Sequence, residues 1–531
     1  MNYSDVQKAA ISQHEGQVIL ISCPGSGKTS TVVARVADMV EAGIDPSQIL
    51  VVTFTSAAAA EMKERYLKRV SGMVGADQAN FSTIHSFCFT ILRLQHGYTS
   101  QNILSPIEAY DYVSKIVYSL RRSGEIEMEI RGFKDFINSC IAEISKVANN
   151  PYHDWNTYQP ENLKSREAFH KLYSIYQEEK HNMSKIDFDD MLVLVNSIFD
   201  TQPSILVGYQ LKYRYLIVDE YQDTNFLQRD LLYKLAGDNP NICVVGDDDQ
   251  SIYRFRGAKP EIMLGFKKTF PECRELYMDV NYRSEPEIVH AARCLISHNK
   301  ERFQKDIKAF KTGKGKVKCL NFEDRDGEYR SVTDRIKLLH KDGVPYENMA
   351  ILFRNNEHAH GWAAACMGAG IPFHSTERIK DKYSEWMFGD VMAYWRLAND
   401  FGTLDDMRRV INKPQRYLPA GAFKDLDREH MREVVRAHKF DEEWKRSAAL
   451  NQVDNFFSHL RSLRGQTPAD FMLVLRKIVG YDAYLKKYMS FRNQDYDDAK
   501  EIMDFYSKEA DAYDTLAEWQ ARIAQYREQI N

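Results

Sequence analysis

Residues 22–29, Ser22-Cys23-Pro24-Gly25-Ser26-Gly27-Lys28-Thr29, have the composition of a loop that cradles phosphate. Glycines let backbone N–H groups close around phosphate oxygens, a lysine neutralises β- and γ-phosphate charge, and a threonine hydroxyl can ligate Mg²⁺. The general pattern starts on a glycine where this chain has Ser22, so the match is to the second half, PGSGKT. A second group, Asp219-Glu220, ends an apolar run within YLIVDEYQDTN (215–225). Asp219 suits the carboxylate such a metal needs, and Glu220 is placed to orient or deprotonate an attacking water. A third stretch, VVGDDDQSIYRFRGA (244–258), sets Gln250 behind three carboxylates, where it can sense a γ-phosphate. It runs on through Tyr253, Arg254, Phe255 and Arg256. Rings interleaved with guanidinium groups suit single-stranded nucleic acid, whose bases stack and whose phosphates meet arginine.

These groups need a sheet to hold them. Four short apolar runs, 18–21 (VILI), 49–54 (ILVVTF), 216–218 (LIV) and 242–245 (ICVV), read as buried parallel strands. The phosphate loop follows the first, and residues 29–42 carry apolar positions at helical spacing, giving a strand, loop, helix, strand order with a right-handed crossover. Residues 96–205 show helical patterning with few strand-like runs, which predicts a helical insertion between two parts of one α/β domain, 1–95 and 206–275. LYMDV near 276, VKCLNF (317–322) and MAILF (349–353) predict a second α/β region over 276–380, with a polar helix around 328–340. Residues 381–531 read as helical.

At 531 residues, 44% hydrophobic and 27% charged, the chain has apolar material for more than one core. A net charge of −4 excludes a uniformly basic nucleic-acid binder and leaves room for a local basic groove. Residues 253–318 hold 16 Lys/Arg against 8 Asp/Glu, whereas 481–531 hold 7 against 11. The basic excess therefore surrounds the aromatic and arginine stretch. Eight cysteines form no CxxC pair or His/Cys cluster, which argues against a zinc module or disulfide framework and for a reducing compartment. A polar N-terminus and the lack of a long apolar run predict a cytoplasmic protein with neither signal peptide nor membrane span.

Taken in order with VVTFTSAAAAEMKER (51–65), STIHSFC (82–88), IDFDDML (186–192) and NYRSEPEIV (281–289), these motifs resemble the UvrD/Rep-like superfamily 1 DNA helicases. The resemblance is strong to about residue 290 and looser through MAILFRNN (349–356) and VINKPQRYLP (410–419). It implies an α/β fold: a RecA-like P-loop motor domain with a helical insertion, then a partial second RecA-like domain (276–380) with its own insertion (381–531). ATP and Mg²⁺ are the implied cofactors, and single-stranded DNA and single/double-strand junctions the implied partners, beside repair or replication proteins. By motif match, Gln7 would read the adenine and Tyr282 stack on it, with Arg35 nearby. Pro24, Gly25, Ser26, Gly27, Lys28, Thr29 and Ser30 would hold the phosphates, with Thr29 and Asp219 on the metal. Lys28, Asp219, Glu220, Gln250 and Arg283 would form the hydrolytic centre, Arg283 reaching in from the second motor. Phe54, Thr55, His85, Tyr253, Phe255 and Arg256 match DNA-contact positions.

The sequence departs from the pattern in places. Phe255 stands where the family usually has Trp, and Ala57 where a basic residue is common. Neither the HSxKGLE-like motif nor the arginine motif near TRA occurs. This predicts a chain lacking the C-terminal part of the second motor, one that binds ATP and DNA but hydrolyses and unwinds slowly. The leading expectation is an ATP-dependent 3′–5′ DNA helicase or translocase. A truncated relative that clamps DNA and the motor part of a helicase-nuclease are the alternatives.

Overall fold

The computed structural model describes residues 3–126, 133–152, 154, 157–161, 163, 165–238, 240–254, 257–354, 358–375, 381–491 and 496–530. Two compact units emerge, one from residues up to Cys319 and one chiefly from Leu320 onward.

The first unit is built on six parallel strands: β1 (Gln17–Ser22), β2 (Ile49–Thr53), β3 (Asn80–Thr83), β4 (Tyr215–Val218), β5 (Asn241–Gly246) and β6 (Arg274–Met278), in the order β3-β2-β4-β5-β1-β6. The four central strands are the four apolar runs read from the sequence, and both of their faces are buried, as a sheet covered by helices on each side requires. Alternation divides their side chains. Ile19, Ile21, Leu50, Val52, Leu216, Val218, Ile242 and Val244 point into one core. Val18, Leu20, Ile49, Val51, Ile217, Cys243 and Val245 point into the other. Helices α1 (Asp5–Ser12), α2 (Lys28–Glu41) and α3 (Ser56–Arg69) supply the second core.

The other face is covered by α4 (Ile84–His96) and by helices from within the span read as an insertion. That span contains α5 (Pro106–Arg122), α6 (Phe133–Ala148), α7 (Arg166–Asn182) and α8 (Phe188–Thr201). Met191, Leu192, Val195, Ile198 and Phe199 of α8 lie in the same core as Ile19 and Leu50, so the chain has rejoined the sheet well before residue 205. An IDFDDML-type start places α8: Asp187 accepts the Asp190 N–H at 2.9 Å and the Asp190 carboxylate accepts the Asp187 N–H in return, a reciprocal cap.

Of the three strands expected after residue 270, one forms and two do not. The LYMDV run, read as opening the second motor, is β6, paired with β1 from Val18↔Arg274 to Ser22↔Met278. It carries the chain across the sheet edge into a short parallel pair, β7 (Val280–Asn281) with β8 (Lys308–Ala309), so 276–319 belongs to the first unit. VKCLNF and MAILF form no strands, although they are apolar. A lone apolar run becomes a strand only when another strand saturates its backbone, and the described residues from 320 onward contain none. The regular elements described in the second unit are helices, among them the polar helix (Arg325–Lys341), and its main core fully buries Tyr394, Phe423, Phe456, Phe471, Tyr481, Tyr506 and Trp519.

Candidate nucleotide and DNA site

Every strand of the sheet delivers a motif at its C-terminal end, the crevice where open α/β sheets bind ligands. The phosphate loop leaves β1 and closes on α2. Gly25 and Gly27 have φ of +69° and +87°, left-handed conformations that favour glycine. Ser22, at the position of the missing first glycine, donates its hydroxyl to the Gly246 carbonyl at 2.7 Å and so pins the loop to β5. Ser26 closes it, donating to the Cys23 carbonyl at 2.7 Å. Burial, then the nearby Asp247 carboxylate, pushes the Cys23 thiol up to about 12, which makes it a packing group rather than a nucleophile. Lys28, Thr29 and Ser30 form the first turn of α2, where free N–H groups and the helix dipole favour an anion.

The carboxylates converge on Lys28. Its ammonium donates to Glu220 Oε2 at 3.1 Å. Glu220 is in the left-handed region, φ 52° and ψ 42°, a strained conformation for a non-glycine residue. Asp219 beside it is buried, and its Oδ1 has no hydrogen-bond partner. Burial first, then the Glu220 charge, pushes its pKa up to about 7, with Lys28 partly offsetting. A buried carboxylate oxygen without a donor, beside a second carboxylate, fits a hard divalent cation.

Gln222, to which the sequence reading gave no role, joins two motifs. Its Nε2 donates to Glu220 Oε2 at 2.8 Å and its Oε1 accepts the Asp247 N–H at 2.9 Å. A Cβ on Gly246 would come within 2.6 Å of that Oε1, so this glycine is what lets Gln222 pass. Gln250 in turn donates to Asp247 Oδ2 at 2.6 Å. Asp247, Asp248 and Asp249 are held by Lys305, whose Nζ lies 2.6, 2.7 and 2.8 Å from one oxygen of each, while Arg302 grips Asp249 at both oxygens. Burial alone depresses the Lys305 ammonium, but the Asp247 and Asp248 carboxylates outweigh it and hold the pKa above its usual value. Part of the basic excess counted in 253–318 is therefore internal, facing aspartates rather than a nucleic acid.

The NYRS turn lies against the phosphate loop. Asn281 Oδ1 accepts the N–H groups of Arg283 and Ser284 at 2.8 Å each, and the Tyr282 N–H donates to the Gly25 carbonyl at 3.0 Å. A Cβ on Gly25 would meet Arg283 Cβ at 2.8 Å. Arg283 falls in the same compact unit as Lys28, and it is exposed. Tyr282 packs its ring on Phe310, centroids 4.9 Å apart. Gln7 also touches the loop, donating to the Ser26 carbonyl at 3.1 Å while its Oε1 accepts the Ser4 N–H. Arg35 is buried, giving its two terminal nitrogens to the Ala10 and His14 carbonyls. That arrangement ties α2 to the end of α1 and leaves only Nε without a partner.

Beyond the loop, Phe54 at the end of β2 stacks on Tyr253, centroids 5.1 Å apart and planes 22° from parallel, and Phe54 is 36% exposed. Thr55 caps α3, its hydroxyl accepting the Ala58 N–H at 3.1 Å. His85, in the first turn of α4, sits edge-on to Phe188 at 5.7 Å, and burial lowers its pKa so that the ring is neutral at pH 7. Arg254 is paired with Glu261 at 2.6 Å. Phe255 and Arg256 lie outside the described residues. Among the described residues no single helix is long and apolar enough to cross a membrane; the bent pair Phe188–Thr201 and Pro203–Lys212 passes by composition, and its first helix lies in the core of the sheet.

The family model described as the UvrD/REP helicase N-terminal domain matches residues 3–271, and that described as the UvrD-like helicase C-terminal domain matches 276–530. The expectation that the second motor is cut short gains no support, because both domain models are matched along the chain. YjcD of Bacillus subtilis (strain 168) is 28% identical over 496 residues, 91% of this chain and 63% of that protein. The ATP-dependent DNA helicase PcrA of Staphylococcus epidermidis (strain RP62A) is 31% identical over 425 residues, 78% of this chain and 56% of that protein. PcrA of Staphylococcus aureus (strain Mu50) is 31% identical over 421 residues, 77% and 55%. The chain spans less than two thirds of the length of each of these relatives. Because the UvrD/REP helicase N-terminal domain model matches more than half of its length, the chain belongs to the UvrD/Rep-like helicase family.

Proposed function

We propose that this protein is an ATP-dependent DNA helicase or single-stranded DNA translocase, moving 3′ to 5′, with single-stranded DNA and its junctions with duplex as substrate. The observation that carries the reading is the Lys28–Glu220 pair at the phosphate loop, linked through Gln222 and Asp247 to Gln250, with the Arg283 turn packed on Gly25. The direction of movement rests on the family resemblance. DNA repair or replication is the matching context.

In this reading the N–H groups of the loop and of the first turn of α2 take the phosphates, and Lys28 exchanges Glu220 for β- and γ-oxygens. The freed Glu220 carboxylate accepts a proton from the attacking water, and its strained backbone aims it there. Thr29 and Asp219 would hold Mg²⁺, which supplies neutralising charge at the phosphates. Gln250 reports the γ-phosphate through Asp247 to the segment carrying Tyr253, and Arg283 adds positive charge to the developing transition state. Gln7 would turn its amide from Ser26 to a base edge, and Tyr282 would offer its ring face. Phe54 and Tyr253 form a platform for bases, and the family resemblance adds Thr55, His85, Phe255 and Arg256 as DNA contacts.

The test is ATP hydrolysis with and without single-stranded DNA, beside Lys28→Ala, followed by strand displacement on a 3′-tailed duplex. DNA-stimulated turnover that Lys28→Ala abolishes, together with displacement, is expected. Nucleotide and DNA binding without turnover would overturn the motor reading.

A further inference from the structure

We propose that Lys305 is a positioning residue for triphosphate sensing: it fixes Asp247, and through Asp247 the amide of Gln250, in the arrangement that separates a nucleoside triphosphate from a diphosphate. The inference rests on the nucleotide site proposed above.

Asp247, Asp248 and Asp249 bring carboxylate oxygens within 4.8 Å of one another, spacing that could hold a metal ion. Here the cation is a side chain. Lys305 Nζ lies within 2.8 Å of an oxygen of all three, and neither it nor Asp247 has any side-chain exposure to solvent. A fully buried ammonium bonded to buried carboxylates has a fixed position, because any displacement strips hydrogen bonds that water cannot replace. The two oxygens of Asp247 then have separate tasks. Oδ1 takes Lys305 and the Asp249 N–H, and Oδ2 is left to orient Gln250 at 2.6 Å. The Asp247 N–H holds Gln222, and Gln222 holds the same Glu220 oxygen that Lys28 grips. A continuous polar chain thus runs from Lys305 to both the sensor and the base.

Lys305 is also tied to the other side of the site. Its Nζ reaches the Ser22 carbonyl at the entrance to the phosphate loop, at 3.4 Å. It lies in the segment leading into β8, which pairs with β7 and so with Asn281, the residue that shapes the Arg283 turn. Within the segment 253–318, where the other basic side chains read as a DNA-facing excess, Lys305 and Arg302 point instead at the sensor strand.

Simple removal of Lys305 leaves the buried Asp247 and Asp248 carboxylates without their cation and could unfold the unit. The double variant Lys305→Met with Asp248→Asn removes one positive and one negative charge and keeps the net charge of the cluster. Lys305→Arg keeps the cation and tests rescue. Each folded protein, checked by thermal melting, competes ADP or Mg²⁺·AMPPNP against fluorescent ADP. The expected result is a triphosphate-over-diphosphate preference that falls about tenfold in the double variant, the value of one charge-assisted hydrogen bond, and recovers in part with arginine. A stably folded double variant with the unsubstituted preference, or one that loses both nucleotides in parallel, overturns the proposal. So does an unsubstituted protein that binds both nucleotides without preference. If the unsubstituted protein binds neither nucleotide, the proposed function itself falls, and this inference with it.

Discussion

Glu220→Gln keeps the side-chain shape and removes one charge, so it separates catalysis from binding. Lys28 is 13% exposed and Glu220 34%, and they are joined at 3.1 Å. Nucleotide must take Lys28 from this partner before the ammonium can serve the phosphates. A partly exposed ion pair is worth about 1 kcal/mol once solvent screening is allowed for. Weakening it in advance tightens ATP binding by about fivefold. Hydrolysis moves the other way, because a glutamine cannot take the proton of the attacking water, and the loss of a general base costs about 10²–10⁴ in kcat. Fluorescent-AMPPNP titration gives the first number and steady-state ATPase with saturating single-stranded DNA the second. A variant that retains a tenth of the unsubstituted turnover would refute the role of Glu220 as base. One that binds AMPPNP more weakly would refute the argument that Lys28 is held back by its partner.

Other substitutions probe other links. Tyr253→Ala removes half of the Phe54 stack and should weaken single-stranded DNA binding by about 1–3 kcal/mol, read by fluorescence anisotropy, with nucleotide affinity in the absence of DNA unchanged. Gly25→Ala puts a Cβ on a residue with φ +69° and against Arg283 and Asn281. It should lower both ATP affinity and kcat, with the left-handed strain alone costing about 1–2 kcal/mol. Trp519→Ala empties a fully buried site in the helical second unit and should destabilise it by about 3–5 kcal/mol, seen as a lowered melting transition. In that unit a hydrogen bond from the Arg396 guanidinium holds the Asp406 carboxyl at about 2, below the usual range. A depressed folded-state pKa stabilises above about pH 4, the unfolded value, and that stability is lost as pH falls through about 2. Asp406→Asn should therefore melt lower than the unsubstituted protein at pH 5, by about 1 kcal/mol after screening at the part-exposed Arg396, and the gap should close toward pH 2.

What the sequence made legible follows a physical division. Central strands such as ILVVT and YLIV are apolar on both faces because helices cover both. The phosphate loop was legible for a similar reason: few sequences other than glycine-rich ones permit the φ of +69° and +87° seen at Gly25 and Gly27. Edges were harder. β3 is NFST, half-buried and polar, and carries no apolar signature, although His85 depends on it for position. LYMDV has one, but composition says only that a run wants to be a strand, not which sheet accepts it. The choice was made by β1, whose free edge pairs with Arg274–Met278. VKCLNF and MAILF, with similar composition, found no such edge among the described residues.

The same limit hides the residues that organise the site. Gln222 lies inside a quoted motif, yet its role depends on Asp247, 25 positions away, and on the absence of a side chain at Gly246. Lys305 acts on Asp247 across 58 positions. In the sequence it is one lysine in a basic segment, and the two readings of such a lysine, facing DNA or facing an internal carboxylate, carry the same local pattern. Only the pairing of β7 with β8 decides between them, because it returns the chain to the end of β5 with Lys305 facing inward. Motif spacing therefore identifies the groups that could touch a nucleotide, each delivered at a strand end. The groups that hold them in register come from segments whose local composition says surface. The site reads as a set of parts in the sequence and becomes one coupled network only when the edge pairings are known.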